Sequence, residues 1–207
     1  MGQTAGGRPR DAHIDEAVLD AVSAILEETG YRALAVEQVA KRAEVSKAAV
    51  YRRWPNRQAL VLAELRRRLG QVVAPDTGCT LCDLNEALNL FARTFTCMGP
   101  EFFSPLLADC SADPDLRNTF METLFDPPRE AVRATLSLAL ERGDLREDTD
   151  LTLTVDTLAS LVHYRLLFGH APVTEHEIER AVTSLLSGLA RDFPALEAKA
   201  GVTHGRS

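Results

Sequence analysis

The sequence predicts an all-α protein of two helical domains, the first of which contains a helix-turn-helix. Of its 207 residues, 45% are apolar and only 6% are aromatic, while Leu, Ala, Glu and Arg are plentiful, a mixture that favours helices over strands. Apolar residues recur at helical spacing along most of the chain, and no β-type alternation extends beyond a few residues. Pro75, Asp76 and Gly78 interrupt the helical pattern, which predicts domains at residues 1–74 and 75–207.

The first domain is expected to begin with a flexible arm that leads into a helix. Residues 2–10 are polar and glycine-rich, and they carry Arg8 and Arg10. Asp11 is a suitable N-cap for the helix, and Gly30 is a suitable stop. Between these two residues, apolar side chains recur on one helical face: Ile14, Val18, Ala21, Val22 and Ile25.

Two short helices come next, and together they predict a helix-turn-helix at residues 36–53. The first is expected over 36–43 and the second over 47–53, with Ser46 as the N-cap of the second. Only Glu44-Val45-Ser46 separates them, and a turn of three residues between two short helices is typical of this motif.

Helix signals continue through the rest of the chain. Pro55 ends the second helix of the motif, and Asn56 caps a further helix that runs to about residue 73. Asp113-Pro114 is a typical helix start, and Asp126-Pro127-Pro128 is expected to kink or restart a long helix that Gly143 ends. These signals predict helices near residues 80–98, 101–111, 114–142, 150–169 and 174–191.

The charges are divided unevenly between the two domains. The formal net charge is −7, but residues 1–70 carry +3 and residues 37–68 carry +6. This asymmetry suggests that the first domain meets a polyanion. Residues 1–13 lack the apolar segment of a secretory signal, and the stretch near 151–169 is too polar for a membrane span. We therefore expect a cytoplasmic protein with reduced cysteines.

The second helix of a helix-turn-helix lies in the major groove of DNA. We expect Val50 and Trp54 to turn inward, while Lys47 and Arg52 suit guanine and the methyl group of Ala48 suits thymine. Tyr51, Arg53 and Arg57 are suited to phosphate contacts. Arg8 and Arg10 of the arm could reach the minor groove. The predicted interface with double-stranded DNA comprises Arg8, Arg10, Ser46, Lys47, Ala48, Ala49, Tyr51, Arg52, Arg53 and Arg57.

The stretch LAVEQVAKRAEVSKAAVYRRWPNRQALV at residues 34–61 resembles the DNA-binding domain of TetR-type transcriptional regulators. Downstream, RGDLREDTDL and HYRLLFG are similar to a common TetR C-terminal region. The resemblance implies a homodimeric repressor that a small molecule releases from a pseudo-palindromic operator. The sequence departs from the family pattern at Ala35, Glu44 and Ala49, where Ser or Thr, Gly, and Thr are frequent.

The resemblance also implies a ligand cavity among the helices of residues 80–170 and a dimer interface formed by the last two helices of each subunit. The candidate pocket residues are Phe91, Phe95, Met98, Phe102, Phe103, Phe120, Phe125 and Tyr164. An ordinary hydrophobic core is the alternative for each of them. The candidate interface residues are Leu151, Val155, Leu158, Val162, Leu166, Ile178, Val182, Leu185 and Leu189.

Three polar residues, His163, Tyr164 and Arg165, interrupt an otherwise apolar helix. They are either polar groups of the pocket or members of ion pairs. In the second case Arg165 would meet Asp148 or Asp156.

The remaining motifs leave two further functions open. Cys79 and Cys82 form a CxxC that lacks the second ligand pair of a zinc site, so we expect no metal and no cofactor. A redox-sensing DNA-binding regulator that uses these two cysteines is one alternative. No catalytic motif is present, so we expect no enzyme. A small-molecule-binding or catalytic helical protein whose basic face is only solvated is the other alternative.

Overall fold

The computed structural model describes residues 8–96 and 100–204, without the side chains of residues 8–11, 94, 96, 100, 101 and 201–204. Within these residues the chain is helical and contains no β-strand, which confirms the all-α prediction. The helices are α1 (Arg8–Ala33), α2 (Val36–Arg42), α3 (Lys47–Tyr51), α4 (Arg57–Leu69), α5 (Thr80–Thr96), α6 (Pro100–Ser111), α7 (Pro114–Phe120), α8 (Asp126–Glu141), α9 (Leu151–Phe168), α10 (Glu175–Leu189) and α11 (Phe193–His204).

The described helices fall into two compact units. The first contains α1–α4 with α6 and α7, and the second contains α5 with α8–α11. The predicted division of the sequence at residue 74 stays a prediction. None of the helices in the part of the chain that the structure describes is long and apolar enough to cross a membrane.

Helix α1 starts earlier than predicted and is broken near its end. It begins at Arg8 rather than after Asp11, because a proline such as Pro9 is tolerated in the first turn of a helix. Gly30 has φ 76°, outside the helical region, so the predicted stop appears as a kink inside the element. The kink brings Tyr31 into the core of the first unit.

Helices α3 and α4 are shorter than the sequence predicted. Helix α3 ends at Tyr51 instead of residue 53, and α4 ends at Leu69 instead of near residue 73. Gly70 has φ 62°, a conformation that glycine adopts without strain, and it closes α4 four residues early.

A buried carboxylate on α4, which the sequence analysis did not predict, organises the contact between α4 and α1. Glu64 is fully buried and accepts hydrogen bonds from Arg67 at 2.7 Å and Arg68 at 2.9 Å. Arg67 also reaches Asp20 at 2.6 Å, and Arg68 reaches Glu27 at 2.9 Å. Much of the basic run at the end of α4 therefore holds two helices together.

The second unit is built around α5, which packs against α8, α9, α10 and α11. The Asp126-Pro127-Pro128 break is confirmed, because a π-helical turn at Met121–Phe125 separates α7 from α8. Helix α11 was not predicted, so α9 and α10 are not the last two helices of the chain.

Candidate nucleic-acid interface

Helices α2 and α3 form the predicted helix-turn-helix, and their turn places a glutamate in an unusual conformation. Glu44 has φ 55°, the left-handed region that glycine favours. The Val45 N–H donates to the Ala40 carbonyl at 3.0 Å and closes the end of α2. The turn keeps its geometry although it lacks the frequent glycine.

The two helices of the motif begin differently. The Ala49 N–H donates to Ser46 Oγ at 3.1 Å, which confirms Ser46 as the N-cap of α3. Ala35 offers no side-chain cap to α2, and only the Gln38 side chain accepts from the Ala35 N–H, at 3.4 Å. The hydroxyl that the family pattern frequently has at this position is therefore missing from the start of α2.

One face of α3 is open to solvent. Lys47, Tyr51 and Arg52 are exposed, and Tyr51 keeps 40% of its surface accessible. Val50 is fully buried, as predicted, whereas Trp54 is only half-buried and so turns inward less than expected. Ser46 and Ala48 are also exposed, and Ala49 is half-buried. The three residues predicted to contact bases, Lys47, Ala48 and Arg52, are therefore all accessible to solvent.

Lys47 and Arg52 differ in their partners. Lys47 forms an ion pair with Glu37 of α2, which raises the pKa of Lys47 and lowers that of Glu37. The Lys47 Nζ also lies 5.5 Å from the centroid of the Tyr51 ring. Arg52 makes no ion pair within the described residues. Its guanidinium is therefore the group of α3 most available to a nucleic acid.

The two remaining arginines of the predicted interface are held inside the first unit. Arg53 pairs with Asp15 of α1 at 2.5 Å and also donates to the Ala49 carbonyl at 3.2 Å. Arg57 pairs with Asp109 of α6 at 2.7 Å. Their role as phosphate contacts stays a prediction, and each would have to leave a carboxylate to make it. The side chains of Arg8 and Arg10 lie outside the described residues.

Asp109 is the centre of a hydrogen-bond cluster. Its Oδ2 accepts from the Tyr31 hydroxyl at 2.6 Å, from Arg57 at 2.7 Å and from Gln58 at 3.3 Å. The Arg57 guanidinium lies 4.6 Å from the centroid of the Tyr31 ring. The Tyr31 hydrogen bond lowers the pKa of Asp109, and burial raises that of Tyr31. The cluster ties α6 to α1 and to the start of α4.

The predicted pocket residues do not form one group. Phe91, Phe95 and Phe125 surround His163 in the second unit. Tyr164 is 57% exposed and packs against Phe168 and His170 instead. In the first unit, Phe103 packs on Phe120 and Phe102 packs on Tyr31, and Met98 lies outside the described residues.

The predicted partners of Arg165 were wrong. Arg165 pairs with Glu177 of α10 at 2.9 Å and donates to the Pro172 carbonyl at 2.8 Å. Asp156 pairs with Arg129, and Asp148 lies near Arg146. Glu177 lies on α10, at the end of α9 that carries Arg165, and the sequence alone did not reveal this contact.

The predicted interface residues on α9 and α10 differ in their exposure to solvent. The residues Val155, Leu158, Val162, Ile178 and Val182 are buried within a single chain, so they form its core. The dimer interface that the sequence predicted on these two helices stays a prediction. Leu151, Leu166, Leu185 and Leu189 remain half-exposed.

Helices α9 and α10 form an open groove of about 650 Å³ between them. Small and apolar side chains line it: Thr157, Leu158, Ser160, Leu161, Tyr164, Ala181, Ser184 and Leu185. Exposed apolar side chains also continue along α9, at Leu167 and Phe168. Of the lining residues, the predicted interface contained only Leu158 and Leu185, because this surface mixes small polar residues with leucines.

The cysteines differ from the expected reduced state. Cys79 and Cys82 are joined by a disulfide whose Cα atoms are 5.3 Å apart, at the start of α5. This pairing corrects the prediction of reduced thiols for these two residues. Cys110 is a free thiol in the first unit, and burial raises its pKa to about 11. It is therefore protonated at neutral pH.

Comparisons with known proteins match both the N-terminal and the C-terminal part of the chain to one protein family. Residues 18–63 match the family described as bacterial regulatory proteins, tetR family, and residues 74–185 match the tetracyclin repressor-like C-terminal domain. The uncharacterized HTH-type transcriptional regulator YdeS of Bacillus subtilis is 29% identical over 90% of this chain and 95% of its own length. The DNA-binding transcriptional repressor TetR of Mycobacteroides abscessus is 29% identical over 84% and 93%. The crystal structure of the TetR family transcription regulator SCO0332 has a TM-score of 0.70 and 31% identity, over 85% of this chain and 98% of that one.

Proposed function

Because this chain belongs to the tetR family of bacterial transcriptional regulators, we propose that it is a homodimeric repressor that a small molecule releases from a pseudo-palindromic operator. One observation supports the DNA contact above the others. The exposed face of the capped helix α3 presents Lys47, Tyr51 and Arg52 together, and Arg52 has no ion pair within the described residues. The protein would act in the cytoplasm, where its operator lies.

In this proposal α3 of each subunit enters the major groove, with the two helices about 34–36 Å apart. Arg52 fits the acceptors of guanine in a bidentate contact, and Lys47 reaches a second base once it leaves Glu37. Tyr51 and Ser46 are placed to contact phosphates, which fix the register of the helix without reading sequence. In this proposal, the residues that contact bases and those that contact phosphates all lie on α3 or at its two caps.

Replacing Arg52 with alanine tests this assignment. We expect operator affinity to fall about 30-fold or more, because the dimer loses one bidentate guanine contact in each half-site and each contact contributes about 1–3 kcal/mol of discrimination. Preference at one base position of each half-site should relax at the same time. The measurement is binding of the wild type and the variant to duplexes selected from a random pool, at several salt concentrations.

Arg66→Ala is the matched control for this experiment. Arg66 is an exposed arginine at the end of α4, so its removal changes the net charge equally. The control should lose little affinity and keep the base preference. Equal losses in the two variants would mean that Arg52 contributes only general electrostatic attraction.

We also propose that the groove between α9 and α10 is the surface where two subunits meet. An exposed apolar face of this kind commonly marks a protein interface. Small residues such as Ser160, Ala181 and Ser184 allow helices of two subunits to approach closely. Leu161 and Leu185 supply apolar area at the centre of the contact.

Leu161→Arg is expected to convert the dimer to monomers, because it places a charge in an interface that must exclude water. Sedimentation or light scattering at micromolar concentration measures the change in mass. Leu153→Arg is the control, since Leu153 is an exposed leucine of the same helix that does not line the groove. A Leu161→Arg protein that stays dimeric would contradict the proposed interface.

Release requires that the small molecule binds one conformation more tightly than the other. A coupling of about 1–3 kcal/mol would weaken operator binding roughly 5- to 150-fold. Helices α6 and α7 lie in the chain between α5 and α8 of the second unit, and α6 carries Asp109. A rearrangement of α5 or α8 would therefore act on Asp109, and through it on Arg57 and α4.

A further inference from the structure

A buried imidazole lies inside a cage of three phenylalanine rings in the second unit. The His163 ring centroid is 5.0 Å from that of Phe91, 4.7 Å from that of Phe95 and 4.6 Å from that of Phe125. Its Nε2 is buried and has no hydrogen-bond partner within the described residues. A buried polar atom without a partner costs free energy, so each such atom requires an explanation.

The cage keeps this imidazole neutral. Burial, and to a lesser extent the positive charge of Arg129, lower the pKa of His163 to about 4. Arg129 is itself paired with Asp156 at 2.7 Å. A neutral imidazole offers one nitrogen as an acceptor and the other as a donor, so it pairs with a hydroxyl group in either direction.

Two members of the cage keep part of their surface exposed to solvent. Phe91 and Phe95 are buried, whereas Phe125 and His163 are only half-buried. Its rings favour another aromatic ring in an edge-on or offset arrangement. Apolar walls disfavour an anionic occupant, because it would lose its water without gaining a partner, and the positive charge of Arg129 disfavours a cationic one. The phenylalanine rings thus favour an aromatic ring in the ligand, and the unpaired His163 nitrogen favours a hydroxyl group on that ring.

We infer that His163 is the polar anchor of the effector site, and that the effector is an uncharged planar aromatic compound whose hydroxyl group hydrogen-bonds the imidazole. The inference rests on the proposed function, since it names the chemical class of the releasing molecule. It assigns recognition of the ring to Phe91, Phe95 and Phe125 and recognition of the hydroxyl to His163.

The test compares two probes that share a ring system. We expect the wild type to bind 2-naphthol about tenfold more tightly than 2-methoxynaphthalene, which cannot donate a hydrogen bond. His163→Leu should abolish this preference and still bind both probes through the rings. Tyr164→Phe is the control, because it removes a hydroxyl from the exposed neighbouring residue and should keep the preference. Binding is followed by probe fluorescence without DNA.

A second measurement uses the wild type alone, in case the His163→Leu protein folds poorly. The Nε2 or Nδ1 resonance of His163 should shift more when 2-naphthol is added than when 2-methoxynaphthalene is added, because only the first probe donates a hydrogen bond to the imidazole. Equal affinity for the two probes, a preference that survives in His163→Leu, or no saturable binding of either probe would overturn the inference. Operator binding by the ligand-free wild type is measured separately, and its absence would refute the proposed function whatever the probes do.

Discussion

Replacing Asp109 with asparagine is expected to lower the free energy of unfolding by about 1–2 kcal/mol at pH 7, because hydrogen bonds to a charged acceptor are the stronger ones. The Asp109 carboxylate serves Tyr31, Arg57 and Gln58 at once. The expected loss of stability is smaller than for a fully buried ion pair, because about a third of the Arg57 and Asp109 side chains is exposed to solvent. Urea unfolding of the two proteins measures the difference.

The pH dependence of this difference has a defined sign. The pKa of Asp109 is lowered in the folded protein, mainly by the Tyr31 hydrogen bond and despite the effect of burial. The stabilisation is therefore fully present above the unfolded pKa of about 3.9 and is lost as the pH falls through the lower folded value. The stabilities of wild type and Asp109→Asn should differ by a constant amount from pH 7 to about pH 5 and converge at lower pH.

The same substitution should change DNA binding in the opposite direction. An amide no longer competes with phosphate for Arg57, whose position in the first turn of α4 suits an anion. We expect Asp109→Asn to bind duplexes of any sequence about threefold more tightly, with a salt slope steeper by about one per subunit. Filter or anisotropy titrations at several salt concentrations measure both quantities.

Glu16→Gln is the control for both measurements, because Glu16 is an exposed carboxylate of α1 and the charge change is the same. It should leave the stability and the salt slope near the wild-type values. If Asp109→Asn weakened binding instead, the cluster would position α4 for DNA rather than compete with it for Arg57.

The features that the sequence predicted correctly depend on neighbouring residues. Ser46 caps α3 three residues ahead of its donor, and Asn56 caps α4 in the same way, with 2.7 Å between Asn56 Oδ1 and the Ala59 nitrogen. Buried Val50 and the Glu44 turn follow from spacing within one short motif. Such interactions are encoded within three or four residues, so a single sequence shows them.

The features that the sequence did not predict join residues far apart in the chain. Asp109 meets Arg57 and Tyr31 across 52 and 78 positions, and Arg68 meets Glu27 across 41. Local pattern carries no information about such pairs, which is why Arg57 seemed free for phosphate. For the apolar stripes of α9 and α10, periodicity marks the buried side of each helix without telling whether the same chain or a partner subunit buries it.

The free energy of unfolding of the wild type is expected to fall between pH 6.5 and pH 4 because of His163, and the His163→Leu variant should lack this fall. The folded pKa of His163 is about 4, and the unfolded value is near 6.5. As the pH falls from 6.5 to 4, the His163 imidazole becomes protonated in the unfolded chain but stays neutral in the folded chain. The wild type therefore loses stability. The loss amounts to about 3 kcal/mol at pH 4, and it stops growing below that pH because both states are then protonated.

His163→Leu should escape this loss, so its free energy of unfolding should fall less steeply between pH 6.5 and pH 4.5. Phe91, Phe95 and Phe125 carry no charge, and Arg129 disfavours the imidazolium from outside the cage. His13→Leu removes an exposed histidine of α1 and should follow the wild-type curve. Parallel curves for wild type and His163→Leu would show that the folded protein accepts the imidazolium, and a cage that accepts a charge would not select an uncharged ligand.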